Sequence, residues 1–403
     1  MTRLGILGGG QLARMLAEAA HRRGLQVAAL ARGPRPPVAI AGVTVLEGAL
    51  DDEESLDALF AASDVVTLEN EFLDLSKLRR VMRRHPRVPL RPSLRGVAVA
   101  QDKLEQKRVF ARLGFPTADF VALDTPDEAD LAALHERFAQ GFVLKQSRFG
   151  YDGKGNLLID GPDDPRNERA LAFCRAGEAQ GATLYAERKV DFAAEVAMVL
   201  TRSPDGTHQS FPLVLSRQER GVCREVLGPA AALGIDPSFD ERIAQMLVAL
   251  GGALNLSGTY ALELFVTQDG ELLVNEMAPR VHNTGHYTRY GDEPSQFDLH
   301  VEAVTGQPLS QPRVSGLVAM RNLLGPWTLP PRRPCPPPRE PPPPGIELSW
   351  YGKTTVSAGR KMGHLTARAR NLRELDEVRS TMARYEARLW QEAANHWNDK
   401  GPT

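Results

Sequence analysis

Along the first hundred residues, apolar runs of strand length alternate with stretches of helical spacing. Leu4–Leu7 reads as a short buried strand. Leu12, Met15, Leu16 and Ala19 then recur at helical intervals, and Gly24 closes the pattern. Residues 25–31 (LQVAALA) give a second strand, 55–62 (SLDALFAA) a helix, and 64–72 (DVVTLENEF) a third strand that runs into carboxylates. Strand, helix, strand, helix, strand predicts an α/β unit with a doubly wound parallel sheet. Prolines near 88–93 end it, and a charged amphipathic helix spans 101–115, stopping at Gly114 and Pro116.

The pattern then becomes α+β. Residues 141–147 and 156–160 read as strands around a glycine-rich loop, with a helix near 166–180 and a strand over 183–190. Residues 193–202 and 209–217 read as antiparallel strands, with a turn at Pro204–Gly206. A helix over 240–254 precedes 258–280, which reads as a hairpin about TQDGE. The tract 326–345 is proline-rich and predicts a stiff surface connection. The helical stretch 373–393 has too little apolar surface for its own domain and is expected to pack on the third unit. The expected division is 1–95, 96–190, 191–320 and 321–403.

Composition narrows the function classes. Apolar residues make up 42%, and 49 basic side chains face 50 acidic ones, a net charge of -1. That balance argues against a nucleic-acid binder. Three scattered cysteines without a C-x-x-C pair fit a reducing compartment and give no metal site. No run is apolar and long enough to span a membrane, so a soluble cytoplasmic protein is expected.

Candidate chemistry begins at Gly8-Gly9-Gly10-Gln11-Leu12-Ala13, which fits G-x-G-x-x-A between strand and helix. Glycines admit an anion there, and the helix start supplies about half a positive charge. The second strand ends at Ala31-Arg32 rather than at an acid, which weakens a nicotinamide site without excluding NADP. A tight turn or a phosphate-bearing substrate fits as well. Glu69 and Glu71 end the third strand, and alternation predicts that they share a face, unpaired. The loop FGYDGKGN (149–156) is no Walker loop, but it can fold over phosphates between two strands, with Lys154 and the upstream Lys145 and Lys103 as candidate partners. Glu263 in an apolar strand and Glu276 at the end of its hairpin partner can stand side by side. With Asn275 they form a hard oxygen site suited to Mg²⁺.

Together, GGGQLARM, FVLKQSRFGYDGKGN, NEMAPRVHNTGHYT, SQFDLH and WYGKTTVSAGRKMGHL resemble the N5-carboxyaminoimidazole ribonucleotide synthetase family of the ATP-grasp superfamily, from Met1 to about His364. The resemblance implies an ATP-grasp fold: an N-terminal doubly wound sheet, a small α+β lid and a larger α+β C-terminal domain. It implies ATP, Mg²⁺ (or Mn²⁺), aminoimidazole ribonucleotide and bicarbonate as ligands, and a homodimer. Lys103 and Lys145 would then meet the nucleotide phosphates under the lid loop Gly150-Tyr151-Asp152-Gly153-Lys154-Gly155-Asn156. Glu187-Arg188-Lys189-Val190 would be the hinge reading adenine, with Glu187 near the exocyclic amine and Val190 using its backbone. Glu195 would take the ribose, and Glu263 and Glu276 the metal, with Asn275 beside them. Arg280 would steady bicarbonate or carboxyphosphate, with His282, Asn283 and His286 close by. Lys353 and Arg360 would meet the nucleotide substrate, in a pocket completed by Gln11, Glu71, Tyr151 and Asp152, and Asp152 or Glu71 would orient its amine. Departures from the family pattern include Ala13 for a glycine and Leu215-Ser216 for a polar pair, for which Arg217 or Gln218 could substitute.

Three other readings compete. A formate-using glycinamide ribonucleotide transformylase would keep the ATP residues, but WYGKTTVSAGRK argues against its acceptor pocket. An NADP-dependent reductase lacks a candidate nicotinamide pocket. A binding module acting through its proline tract has no other signalling feature to support it.

Overall fold

The computed structural model describes residues 2–33, 35–148, 155–291, 293–329 and 332–399. The predicted parallel sheet is present. Strands β1 (Arg3–Leu7), β2 (Gln26–Ala31), β3 (Val43–Glu47) and β4 (Val65–Leu68) run parallel in the order β3-β2-β1-β4. Side chains alternate between two cores, as a doubly covered sheet requires. Leu4, Ile6 and Val27 pack with α1 (Gln11–Arg22), while Leu7, Ala28 and Leu30 pack with α2 (Glu53–Ala61) and α3 (Leu75–Arg84). The strand expected over 64–72 ends at Leu68, and the chain turns away before both glutamates. Two helices went unpredicted among the basic residues and prolines: α3 and α4 (Leu94–Ala100), each started by a side-chain cap, Asp74 and Ser93.

Helix α5 (Lys103–Arg112) links this unit to the next; Asp102 caps its first turn by accepting from the Leu104 and Glu105 amides. An antiparallel sheet of order β5-β8-β6-β7 follows, built from β5 (Phe120–Leu123), β6 (Phe142–Gln146), β7 (Asn156–Ile159) and β8 (Leu184–Arg188). Helices α6 (Glu128–Arg137) and α7 (Ala170–Ala179) close its small core.

The chain then enters a nine-stranded antiparallel sheet. Its members are β9 (Phe192–Arg202), β10 (His208–Ser210), β11 (Val214–Glu219), β12 (Val222–Gly228), β13 (Gly258–Thr267), β14 (Leu272–Ala278), β15 (Leu317–Leu324), β17 (Ile346–Trp350) and β19 (Lys361–Ala369). The predicted turn at Pro204–Gly206 and the hairpin about TQDGE both lie in it. Helix α8 (Ser238–Leu254) packs on one face, and α9 (Gln296–Thr305) sits between this sheet and α1. Helix α10 (Leu372–Asp399) covers β15 and β19, so the segment after the proline tract shares this sheet's core. The short strands β16 (Arg333–Pro334) and β18 (Thr355–Val356) pair outside it.

Candidate active site

The glycine turn holds an anion, but the anion belongs to the chain. Glu69 accepts from the Gly10 amide (2.6 Å) and the Ala13 amide (3.2 Å) at the start of α1. A Cβ on Gly8 or Gly10 would strike this carboxylate, which explains glycine at both positions. Burial pushes the Glu69 carboxyl up, and the two amides oppose that shift. Glu71 instead pairs with Arg280, accepting from Nε (2.6 Å) and Nη2 (3.2 Å). The expectation of two unpaired acids on one face is therefore corrected. Once the strand ends at Leu68, each carboxylate turns to its own partner, and Glu69 takes the place read as a phosphate site.

Three charges that sequence spacing did not connect meet here, two of them buried. Lys107 and Glu187 are each 2% exposed. Glu187 accepts from Lys107 Nζ and Lys145 Nζ, both at 2.7 Å, and Lys107 also donates to Thr117 Oγ1 (2.6 Å). Burial alone would raise the Glu187 carboxyl, but the two lysines together lower it, so it stays ionised. Burial lowers the Lys107 pKa, and the charge of Glu187 opposes that shift. Each Glu187 oxygen accepts from one lysine, which leaves each a second lone pair with which to meet an adenine amine. Arg188 ends β8, its amide donating to Asp119 O, and the Lys189 amide donates to Gly141 O with its Nζ on Asp160 (2.7 Å). Val190 crosses from there into β9.

On the large sheet, Glu263 and Glu276 stand directly opposite one another in register. The ladder then slips: Leu264 pairs with Val274, leaving Asn275 as an extra residue. Asn275 and Glu276 are consecutively half-exposed, as expected when a bulge re-aims a side chain. Lys103 Nζ lies 2.8 Å from Glu276 Oε2, and His282 Nε2 lies 3.1 Å from Glu263 Oε1. Lys103 holds the Glu276 carboxyl well below its usual range, overcoming burial. Among the described residues, no three His, Cys, Asp or Glu side chains gather into a metal cage. The chain's own hard donors here are this carboxylate pair. Two oxygen donors, one facing the Lys103 ammonium and the other the His282 ring, fit a hard divalent ion whose remaining ligands are phosphate and water.

Glu195 lies on the neighbouring strand, opposite Phe265 and Ser216. Burial, then the charge of Glu263, raises its carboxyl to about 7. Gln218 hydrogen-bonds it and donates to Ser216 Oγ (3.0 Å), whereas Arg217 leans toward Glu225 (3.7 Å). Gln218 is thus the one of the two that lies against Glu195. A carboxyl raised above its ordinary value of 4.5 favours the folded state only in acid, and that contribution is lost as pH climbs to about 7. Glu195→Gln should therefore raise Tm by a few degrees at alkaline pH, about 1–2 kcal/mol after allowing for partial exposure, and change it little near pH 5. Thermal melts across pH would check this; a constant difference would contradict it.

His282 Nδ1 is 2.8 Å from Thr284 Oγ1, and the side-chain amide nitrogen of Asn283 is buried without a hydrogen-bond partner. His286 is enclosed, its ring 4.6 Å from that of His364, and burial holds it well below its ordinary pKa. It serves packing beneath the site rather than lining it.

A cavity of about 450 Å³ lies between the N-terminal unit and the 352–360 loop, lined by Gly10, Gln11, Arg32, Arg35, Lys353 and Arg360 among others. Four of these six are cationic. Arg35 was not predicted. Lys353 Nζ donates to Lys361 O (2.6 Å) and lies 5.5 Å from the Tyr351 ring centroid. Arg360 donates to Thr355 O and Oγ1. Asn156, just after Gly155, begins β7 and faces Lys145. Gly150, Tyr151, Asp152, Gly153 and Lys154 lie outside the described residues.

Family models match three stretches of the chain. Residues 1–101 match the ribonucleotide synthetase preATP-grasp domain, 108–297 the ATP-grasp domain, and 318–378 the phosphoribosylaminoimidazole carboxylase C-terminal domain. N5-carboxyaminoimidazole ribonucleotide synthase of Synechococcus elongatus is 36% identical over 96% of this chain and 95% of its own. The chain belongs to the N5-carboxyaminoimidazole ribonucleotide synthase family. It has the ATP-grasp fold and is an ATP-dependent ligase. The crystal structure of the N5-carboxyaminoimidazole ribonucleotide synthetase from Thermus thermophilus is 35% identical, with a TM-score of 0.80 over 94% of this chain and 98% of that one. An Aspergillus clavatus N5-carboxyaminoimidazole synthase, solved with ADP and 5-aminoimidazole ribonucleotide, is 27% identical, with a TM-score of 0.80 over 96% of this chain and 99% of that one. The expectation of an ATP-grasp synthetase, made on the quoted motifs, stands.

Proposed function

We propose that the chain carboxylates 5-aminoimidazole ribonucleotide with bicarbonate, using ATP through carboxyphosphate, to give N5-carboxyaminoimidazole ribonucleotide, ADP and phosphate in purine biosynthesis. The observation that carries this reading is the Glu263–Glu276 cross-strand pair beside Lys103, at the sheet face where Arg280 and Glu71 tie the C-terminal hairpin to the N-terminal unit.

Each group has a charge-based task. Bicarbonate and the γ-phosphate are both anions, so their approach needs positive charge fixed in advance. Lys103 and Lys145 supply it at the phosphates. The Lys107–Glu187–Lys145 triad has one more cation than anion, and Lys107 keeps Glu187 neutralised when Lys145 turns to the nucleotide. Glu195 accepts from the ribose hydroxyls. Adenine rests at 188–190, near the stacked Phe192 and Phe265 rings (4.6 Å). Glu263 and Glu276 would hold Mg²⁺, which when bound screens the phosphate oxygens and spreads their charge. Arg280, oriented by its fork onto Glu71, holds the carboxyl donor, with His282 and Asn283 beside it. Lys353, Arg360 and Gln11 bind the phosphate-bearing end of the acceptor. Glu71 or Asp152 orients the acceptor amine, and the loop 150–156 with Tyr151 keeps water from the labile acyl phosphate.

No helix among the described residues is long and apolar enough to cross a membrane. Cytoplasmic location and a homodimer belong to the same reading; sedimentation would test the dimer. The function is tested by ADP release with each amine acceptor, with and without bicarbonate. Release should require aminoimidazole ribonucleotide and bicarbonate together. Indifference to bicarbonate, or turnover of glycinamide ribonucleotide with formate, would overturn it.

A further inference from the structure

The proline tract, which the sequence left as a surface connection, lies against the segment that carries Lys353 and Arg360. Arg333 pairs with Val356 and Pro334 with Thr355, and the Cys335 amide donates to Thr354 O (2.8 Å). At the tract's start, the Gly325 amide donates to Arg360 O (3.0 Å) and accepts at its own carbonyl from the Gly359 amide (2.8 Å). Trp327 lies where a Cβ on Gly359 would stand, and its Nε1 donates to Glu219 (2.7 Å). Gly325, Arg333, Pro334 and Cys335 therefore pair with or bond to the chain at Thr354, Thr355, Val356, Gly359 and Arg360. Arg360 in turn donates its guanidinium to Thr355.

What holds the strap comes from far along the chain. Trp397, in the last turns of α10, donates Nε1–H to Pro334 O (2.7 Å). Its ring joins Trp390, Trp350 and Leu329 around buried Cys335, Val356 and Met362. Tyr385 OH donates to Glu340 O (2.8 Å) farther along the tract. Trp397 also lies beyond residue 378, where the match to the C-terminal family domain ends. Proline suits the task, because its fixed φ lowers the entropy lost when such a strap is ordered.

We propose that this strap, pinned by Trp397, fixes the 351–360 loop, and that Trp397 is a positioning residue through which Lys353 and Arg360 are set to grip the phosphate-bearing end of the acceptor. The proposal rests on the reading of the cationic cavity given above. It is tested on the full chain with Trp397→Ala and the milder Trp397→Phe, which keeps a ring but loses the donor. Two readouts are taken: amide hydrogen exchange over 352–360 without ligand, and KM for aminoimidazole ribonucleotide and for ATP. Trp397→Ala should speed exchange in the loop about tenfold and raise the acceptor's KM about tenfold, the effect of one lost hydrogen bond with its packing, leaving the KM for ATP within about twofold. Trp397→Phe should fall between. Unchanged loop exchange in both variants would overturn the proposal, as would an equal rise in both KM values. If Trp397→Ala does not fold, Trp397→Phe decides by the same criteria. Should the wild-type chain turn over no aminoimidazole ribonucleotide, the function assigned above fails, while loop exchange still decides whether the strap holds the loop.

Discussion

Glu276→Gln is expected to lower the rate of ADP formation on the order of a thousandfold, about 4 kcal/mol in barrier height. The substitution keeps shape and removes charge. Glu276 faces Glu263 across the hairpin, and it is also the carboxylate to which Lys103 points at 2.8 Å. Lys103 is kept charged, against its burial, chiefly by Glu276. One change thus removes a metal donor and loosens the lysine beside it. Raised magnesium should restore part of the rate, and steady-state assays over a magnesium series would show it. Full activity at low magnesium would remove Glu276 from the metal's donors.

Arg280→Lys should separate ATP cleavage from carboxylation. Arg280 is half-buried, and its fork onto Glu71 ties the 280–283 segment to the end of the N-terminal sheet. Lysine keeps the charge but cannot make two parallel donations or hold a planar carboxyl group in the same orientation. Product formation should fall about a hundredfold, with ADP release falling less, so that product per ADP drops well below one. Simultaneous measurement of both products decides. A preserved ratio with only a lower Tm would make Arg280 a structural tie.

Where the sequence was a good guide, the information was local. The strand–helix alternation of the first unit is written in consecutive residues. So is the hairpin about TQDGE, which is why the facing of Glu263 and Glu276 could be anticipated. The bulge at Asn275 could not, because a ladder slip has no fixed residue signature on a strand without glycine. The third strand was read four residues too far at its C-terminal end, since its valines and leucine continue without a breaker into the glutamates. Glu69 was misread because its partners, the Gly10 and Ala13 amides, lie more than fifty residues upstream. Lys107 carried a signal that went unused. It lies three residues after Leu104 and three before Phe110, on the buried stripe of α5, and a lysine on such a stripe calls for a carboxylate. Its partner, Glu187, is eighty residues away and visible only in the folded chain.

The central claim is that two carboxylates on adjoining strands hold the divalent ion that lets ATP and bicarbonate meet. A crystal structure of the chain with Mg²⁺ and a non-hydrolysable ATP analogue tests it most directly. The expected result is one ion within bonding distance of both Glu263 and Glu276 and of the analogue's phosphates, with Lys103 moved from Glu276 onto a phosphate oxygen. An ion bound elsewhere, with Lys103 still on Glu276 and His282 still on Glu263, would contradict it.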